Sequence, residues 1–139
     1  MYKRQSVDKA QDIAHAVNTH FHNEKVIPMN IADYADIPGD DYIVIQTTSV
    51  GLHPNDTAVV IDDEAFYKKA AVGVDIIYNP GETMFMKLIK AQGKKAYNGL
   101  KMLLYQGVSA YELWNDCKIT KEDADEVYKC LQKELGINE

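Results

Sequence analysis

Three short strand candidates alternate with amphipathic segments along most of the chain, and this alternation restricts the fold more than any other feature. Two of them, at residues 42–45 and 72–78, are mainly apolar, and the third is Lys-Ala-Tyr at 95–97. Between and after them, apolar residues recur at helical spacing. Strand, helix, strand, helix, strand, helix is the order of a parallel sheet covered by helices. The sequence therefore predicts an α/β fold.

The predicted helices have recognisable beginnings and ends. Ser6, Asn98 and Thr120 can each cap a helix through a side-chain oxygen, and Gly93 and Gly136 can end one. The apolar stripe between residues 100 and 114 is expected to be structural. The helices are predicted over residues 6–21, 62–69, 82–91, 98–114 and 120–135, with a helical turn at 31–37.

Three local expectations concern strands and burial. Residues 42–45 are continuously apolar, as in a strand covered on both faces of a parallel sheet. Residues 26–29 are a strand candidate that Pro28 weakens. Asp75 lies inside an apolar run, where an unpaired carboxylate is costly. We therefore expect it to accept hydrogen bonds from the backbone or a threonine rather than to act as a base.

Small polar residues follow each predicted strand, at residues 47–49, 78–80 and 98–99. Ligands of open parallel sheets bind beyond the carboxyl ends of the strands, so these clusters predict a binding site. Met102 and Gln106 share a helical face nearby. They fit either a floor for a flat ring or a surface glutamine above a core methionine.

Composition excludes several classes of function. The 139 residues carry a net charge of −6 and show no basic patch, which argues against nucleic-acid binding. No apolar run is long enough for a bilayer and no signal-peptide pattern is present, so a cytoplasmic location is the simplest inference. Cys117 and Cys130 imply no disulfide framework. His20, His22 and Glu24 lack further ligands at metal-site spacing, so no metal is expected.

Residues 1–5, Met-Tyr-Lys-Arg-Gln, match the translation of a common transposon-end sequencing adaptor. We expect them to be a scar, and residues 6–139 to be the C-terminal part of a longer natural protein.

Four motifs in order resemble the C-terminal half of the shikimate dehydrogenase family. They are Thr-Ser-Val-Gly-Leu-His-Pro at 48–54, Asp-Ile-Ile-Tyr-Asn-Pro at 75–80, Asn-Gly-Leu-Lys-Met-Leu-Leu-Tyr-Gln-Gly at 98–107 and Ala-Tyr-Glu-Leu-Trp at 110–114. The resemblance covers residues 6–139 and implies part of a Rossmann-like cofactor domain. This would be an incomplete three-layer parallel sheet, with the first strands and the glycine-rich loop missing.

The resemblance also implies a function. The family reversibly reduces 3-dehydroshikimate to shikimate with NADPH, in the chorismate pathway of aromatic amino acid biosynthesis. The family's catalytic lysine and aspartate lie in an N-terminal substrate domain. No catalytic residue is therefore expected in this chain, which we expect to be inactive alone. The resemblance is also compatible with a homodimeric parent enzyme.

Site residues follow from the same resemblance. It assigns substrate contact to Tyr78 and Gln106, and cofactor contact to Ser6, Lys9, Thr48, Ser49, Ile76, Gly99 and Met102. Gln5 stands where the family has an arginine that holds the 2′-phosphate of NADP. If Gln5 is the native residue, NAD is an alternative cofactor. A quinate/shikimate dehydrogenase and a non-catalytic nucleotide-binding module remain the alternative functions.

Overall fold

The computed structural model describes residues 7–137, which divide into two compact units, one up to Pro38 and one from Gly39 onward. The first unit contains helix α1, Val7–Phe21, and a short 3-10 helix, Ile31–Asp36. Both helical predictions are confirmed there, but the predicted cap Ser6 lies outside the described residues. Ala14 is buried on α1, whereas Ile13 of the same predicted stripe is 63% exposed.

The predicted strand at residues 26–29 is wrong. The side chain of Asn18 hydrogen-bonds both backbone polar groups of Val26. Its Nδ2 donates to the Val26 carbonyl at 2.9 Å, and its Oδ1 accepts from the Val26 N–H at 3.0 Å. Pro28 has no N–H to donate. The backbone is therefore satisfied locally, and the segment remains irregular.

Among the described residues from Gly39 onward, three parallel strands form one sheet in the order β1-β2-β3. This confirms the α/β prediction. Ile43 pairs with Val72, Gln46 with Asp75, and Val74 with Tyr97. The strands and helices are β1 Tyr42–Gln46, α2 Glu64–Lys68, β2 Ala70–Asp75, α3 Met84–Ala91, β3 Lys95–Tyr97, α4 Leu100–Asn115 and α5 Lys121–Leu135.

Helices α2 and α3 cover one face of this sheet. The buried cluster there consists of Tyr67, Ala70, Phe85, Met86 and Ile89. Gly73 of β2 permits the close approach of α3, because an added Cβ would lie 2.8 Å from Cγ1 of Ile89. The strands are thereby fixed against a well-packed layer.

The opposite sheet face is open to solvent. Ile43 and Ile45 of β1 are 69% and 58% exposed, and Tyr97 of β3 is 52% exposed. The prediction that residues 42–45 are covered on both faces is therefore wrong. The run is apolar on both sides, but only Val44 on its inner side packs against the α2–α3 cluster.

Helices α4 and α5 pack against each other around Leu100, Leu104 and Tyr128. The predicted apolar stripe of α4 is structural from Leu100 to Val108, whereas Tyr111 and Trp114 are 52% and 80% exposed. No helix within residues 7–137 is long and apolar enough to span a bilayer.

Candidate functional site

An open groove of about 600 Å³ lies beyond the carboxyl ends of β1 and β2. Its size is in the range of small-molecule sites. One wall is the loop that follows β1, and the other is the segment that follows β2. The lining residues are Thr47, Thr48, Ser49, Leu52, His53, Ile76, Ile77, Tyr78 and Asn79.

The first wall is held by Gln46, the buried last residue of β1. Its Nε2 donates to the carbonyls of Thr48 and Val50, at 3.3 and 3.0 Å. Its Oε1 accepts from the N–H and the hydroxyl of Thr48, at 2.5 and 2.7 Å. One side chain thus determines how the loop leaves the strand. The sequence analysis missed this residue, although a long polar side chain directly after an apolar run was a usable signal.

The second wall is held by Asp75, which is fully buried at the end of β2. Its carboxylate accepts from the Ile77 N–H at 3.0 Å and from the Thr83 hydroxyl at 2.7 Å. The expectation of a structural acceptor is confirmed. Burial raises the pKa of Asp75, while the hydrogen bonds from Thr83 and Ile77 lower it less.

The contacts of Asp75 also explain why β2 ends earlier than residue 78, where the prediction placed its end. Beyond Asp75, the Ile77 N–H turns to the carboxylate of Asp75 and the Ile77 carbonyl accepts from the Gly99 N–H at 3.0 Å. The Ile76 N–H still donates to the Gln46 carbonyl of β1, but residues 77 and 78 leave the strand ladder, and residues 76–78 form the groove wall. An apolar run in the sequence does not reveal this change of partner.

The turn after β3 supports the second wall from behind. Asn98 donates to the Gly81 carbonyl at 3.0 Å and accepts from the Leu100 N–H at 3.1 Å. Its oxygen therefore caps α4 as predicted, although Gly99 occupies the N-cap position itself. A Cβ on Gly99 would collide with the carbonyl of Ile76. The backbone of α4 therefore begins in direct contact with the groove wall.

Four of the predicted site residues line this one groove: Thr48, Ser49, Ile76 and Tyr78. Gly99 is buried behind the Ile76 wall. Met102 and Gln106 are exposed on α4 and are not among the lining residues. Met102 is 46% exposed, so the alternative of a methionine in the core is wrong.

Of the remaining two predicted cofactor residues, only Lys9 falls in the described part of the chain. Ser6 lies outside the described residues, and Lys9 is exposed in the first turn of α1. His53 lines the groove but keeps 75% of its side chain exposed, with Nδ1 3.4 Å from Asp56. His53 is therefore largely open to solvent.

Acidic, histidine and cysteine side chains do not gather into a metal site within residues 7–137. Both cysteines in this range are free thiols. The groove is instead lined by hydroxyls, an imidazole, a phenol and aliphatic side chains. Such a mixed apolar and polar surface suits a small organic ligand.

Comparison with known proteins relates most of the chain to a single group of enzymes. The chain is 38% identical over 114 residues to the NADP-dependent shikimate dehydrogenase of Clostridium perfringens strain 13, covering 81% of this chain and 42% of the relative. The corresponding enzyme of Methanococcus maripaludis is 37% identical over 114 residues, covering 81% and 40%. This chain thus spans about two-fifths of the length of these curated relatives. No family model matches the chain.

Solved structures agree with this relationship. Shikimate dehydrogenase 1 from Peptoclostridium difficile has a TM-score of 0.71 at 33% identity, covering 81% of this chain and 42% of that one. A shikimate dehydrogenase in complex with NADP+ has a TM-score of 0.73 at 27% identity, covering 96% and 45%. The three-stranded parallel sheet therefore corresponds to part of a Rossmann-like domain.

Proposed function

Because this chain is homologous to part of the shikimate dehydrogenases, we propose that it is the NADP-binding, C-terminal part of an enzyme that interconverts 3-dehydroshikimate and shikimate. The observation that carries the proposal is the single groove lined by Thr48, Ser49, Ile76 and Tyr78. It lies at the carboxyl edge of the sheet, where open α/β folds bind nucleotides.

The residues present fit one part of the cofactor. Ile76 offers an apolar surface to the nicotinamide ring, and the exposed Ser49 is a hydroxyl partner for the adjoining ribose. When bound, NADP would supply the hydride-transfer chemistry. This chain would bind and orient the cofactor and keep one face of the ring against an apolar wall.

Gly99 and Met102 complete the proposed nicotinamide side. The N–H of Gly99 is already used by Ile77, so its contribution is the close backbone position and its carbonyl. Met102 is 46% exposed at the start of α4, where its thioether can contact a ring that extends out of the groove.

Tyr78 and Gln106 would bind the substrate. Tyr78 is 39% exposed at the rim of the groove, so its phenol can reach a hydroxyl of a bound polyol acid. Gln106 is exposed on α4 and offers an amide to the same substrate. The proton exchanged with the substrate hydroxyl would be handled by a substrate domain that is not part of residues 6–139.

The family resemblance assigns the 2′-phosphate of NADP to Ser6 and to Lys9, which is exposed in the first turn of α1. Gln5 stands where the family has an arginine for the 2′-phosphate, which makes NAD the alternative nucleotide. The alternatives are an NAD-dependent quinate/shikimate dehydrogenase and a non-catalytic nucleotide-binding module. The proposed function and its two alternatives differ in whether the protein prefers NADP or NAD and in whether it catalyses the reaction.

Calorimetric titration of the chain with NADP, NAD and shikimate tests the proposal. We expect saturable binding of NADP, weaker binding of NAD, and no shikimate-dependent reduction of NADP by the chain alone. The variant Ile76→Thr should weaken NADP binding, whereas Val127→Thr, at an exposed position of α5, should not. Absence of NADP binding would contradict the proposal, and tighter binding of NAD would favour the quinate/shikimate alternative.

A further inference from the structure

We propose that Gln46 is a positioning residue of the groove, which holds residues 47–51 in the conformation that presents the Ser49 side chain to the cofactor. This inference rests on the proposed function, because it takes a nucleotide to be the ligand. It also changes the role of Thr48 from a ligand contact to an internal link of the loop.

The hydrogen bonds of Gln46 account for the full capacity of its amide. The side chain is 8% exposed, and its two N–H groups donate to the carbonyls of Thr48 and Val50. Its oxygen accepts twice from Thr48. A glutamine amide has two donors and an oxygen with two lone pairs, so this geometry uses all of them on one loop.

Thr48 transmits this constraint further along the loop. Its hydroxyl donates to Gln46 at 2.7 Å and accepts from the Val50 N–H at 3.2 Å. Its own N–H donates to Gln46 as well. Both donors of Thr48 are therefore engaged inside the protein and are not directed at a ligand.

Ser49 is the residue whose orientation results from this arrangement. It stands between Thr48 and Val50, both of which bond to Gln46, and its carbonyl accepts from the Leu52 N–H at 3.2 Å. Its side chain is exposed and lines the groove. With the backbone fixed on both sides, the Cα–Cβ bond of Ser49 has a fixed direction, which keeps its hydroxyl within the groove for a ribose hydroxyl.

Gln46 also connects the two walls. Its main-chain carbonyl accepts from the Ile76 N–H at 3.1 Å. The side chain of Gln46 thus holds the first wall while its backbone holds the second. Gln46 therefore sets the separation of Ser49 from Ile76 together with Asp75, which holds the second wall.

The test uses Gln46→Met, which keeps the length of the side chain and removes its hydrogen bonds. Amide hydrogen exchange, followed by NMR, should become about tenfold faster at Thr48, whose N–H loses its bond to Gln46, the factor expected for one lost hydrogen bond. Exchange should also become faster at Val50, because the Thr48 hydroxyl that accepts from the Val50 N–H loses its own partner, and it should stay unchanged at Ile76. NADP affinity should fall by a similar factor of about ten. Gln11→Met, at an exposed position of α1, is the matched control and should change neither quantity.

Two further variants separate positioning from direct contact. Thr48→Val should speed exchange at Val50 and weaken NADP binding, and it carries the test if Gln46→Met does not fold. Ser49→Ala should weaken NADP binding without faster exchange at Thr48 or Val50.

Unchanged exchange at both amides in Gln46→Met would overturn the proposal, as would faster exchange with unchanged NADP affinity. If the wild-type chain does not bind NADP, the proposed function fails, while the exchange data still decide whether Gln46 holds the loop.

Discussion

Single polar residues at the strand ends shape the groove. Gln46, Asp75 and Asn98 stand at or just after the ends of three strands, and each accepts a backbone N–H from the segment that follows its own strand. Local bonds of this kind compete with the strand ladder and turn the chain out of the sheet. The groove walls are therefore defined even though they have no regular secondary structure.

Gly99 tolerates no side chain because its Cα lies against the carbonyl of Ile76. We expect Gly99→Ala to lower the free energy of unfolding by about 3 kcal/mol, as for severe overpacking. Gly107→Ala on the same helix is the control, since nothing lies within 4 Å of its added Cβ. It should stabilise the protein by about 1 kcal/mol through helix propensity. Urea unfolding measures both, and equal effects would contradict the explanation.

Asp75 should make stability depend on pH. Because burial raises its pKa above the ordinary 3.8, the folded state binds this proton more tightly than the unfolded chain. The resulting stabilisation is full below pH 3.8 and is lost as the pH rises through the folded-state pKa. Asp75→Asn removes this titration.

The free energy of unfolding of wild type relative to Asp75→Asn should therefore fall with rising pH across that window and then level off. Urea unfolding over the acidic and neutral range measures it. Asp125→Asn, at an exposed position, serves as the comparison. A difference between wild type and Asp75→Asn that does not change with pH would refute the assignment.

At the level of helices and strands, the sequence predicted those elements whose ends carry local signals. Helix α3 begins after a Thr83 cap, and α5 begins at Thr120 and ends at Gly136. The ends of β2 and the irregular state of residues 26–29 were not predictable in this way, because they depend on Asp75 and Asn18 side chains that replace backbone partners. The open groove was predictable from the polar clusters, but the exposure of Met102 and Gln106 depends on how α4 packs.

The cap of α5 is suited to a direct measurement. The hydroxyl of Thr120 accepts from the Asp123 N–H at 3.1 Å and donates to the Asp123 carboxylate at 2.7 Å. Thr120→Val should therefore lower the free energy of unfolding by about 1 kcal/mol, whereas Thr120→Ser should keep most of the stabilisation by the cap. Urea midpoints of the two variants provide the comparison, and equal losses would show that the cap contributes little.

For the molecule as a whole, the open face of the sheet is the most consequential feature. Ile43, Ile45 and Tyr97 expose an apolar surface, and β1 is an edge strand of the described sheet. Exposed apolar faces and free strand edges favour association. Stability and solubility should therefore respond to different substitutions in this chain.

We expect the purified chain to self-associate and the double variant Ile43→Thr, Ile45→Thr to be more monomeric, as measured by sedimentation velocity. Val44→Thr alters the inner side of the same strand. It should lower stability without reducing association. A wild-type chain that stays monomeric as its concentration rises would argue against this view of the open face.

The contact between Gly99 and Ile76 has a mechanical consequence. Both partners are backbone atoms, and the Gly99 N–H is bonded to the neighbouring Ile77 carbonyl. No rotamer change can absorb a shift at such a contact, since neither group can swing aside. A ligand that pushes Ile76 outward would therefore displace the first turn of α4 with it. The second wall and the first turn of α4 should therefore move together as one rigid body, joined at Gly99.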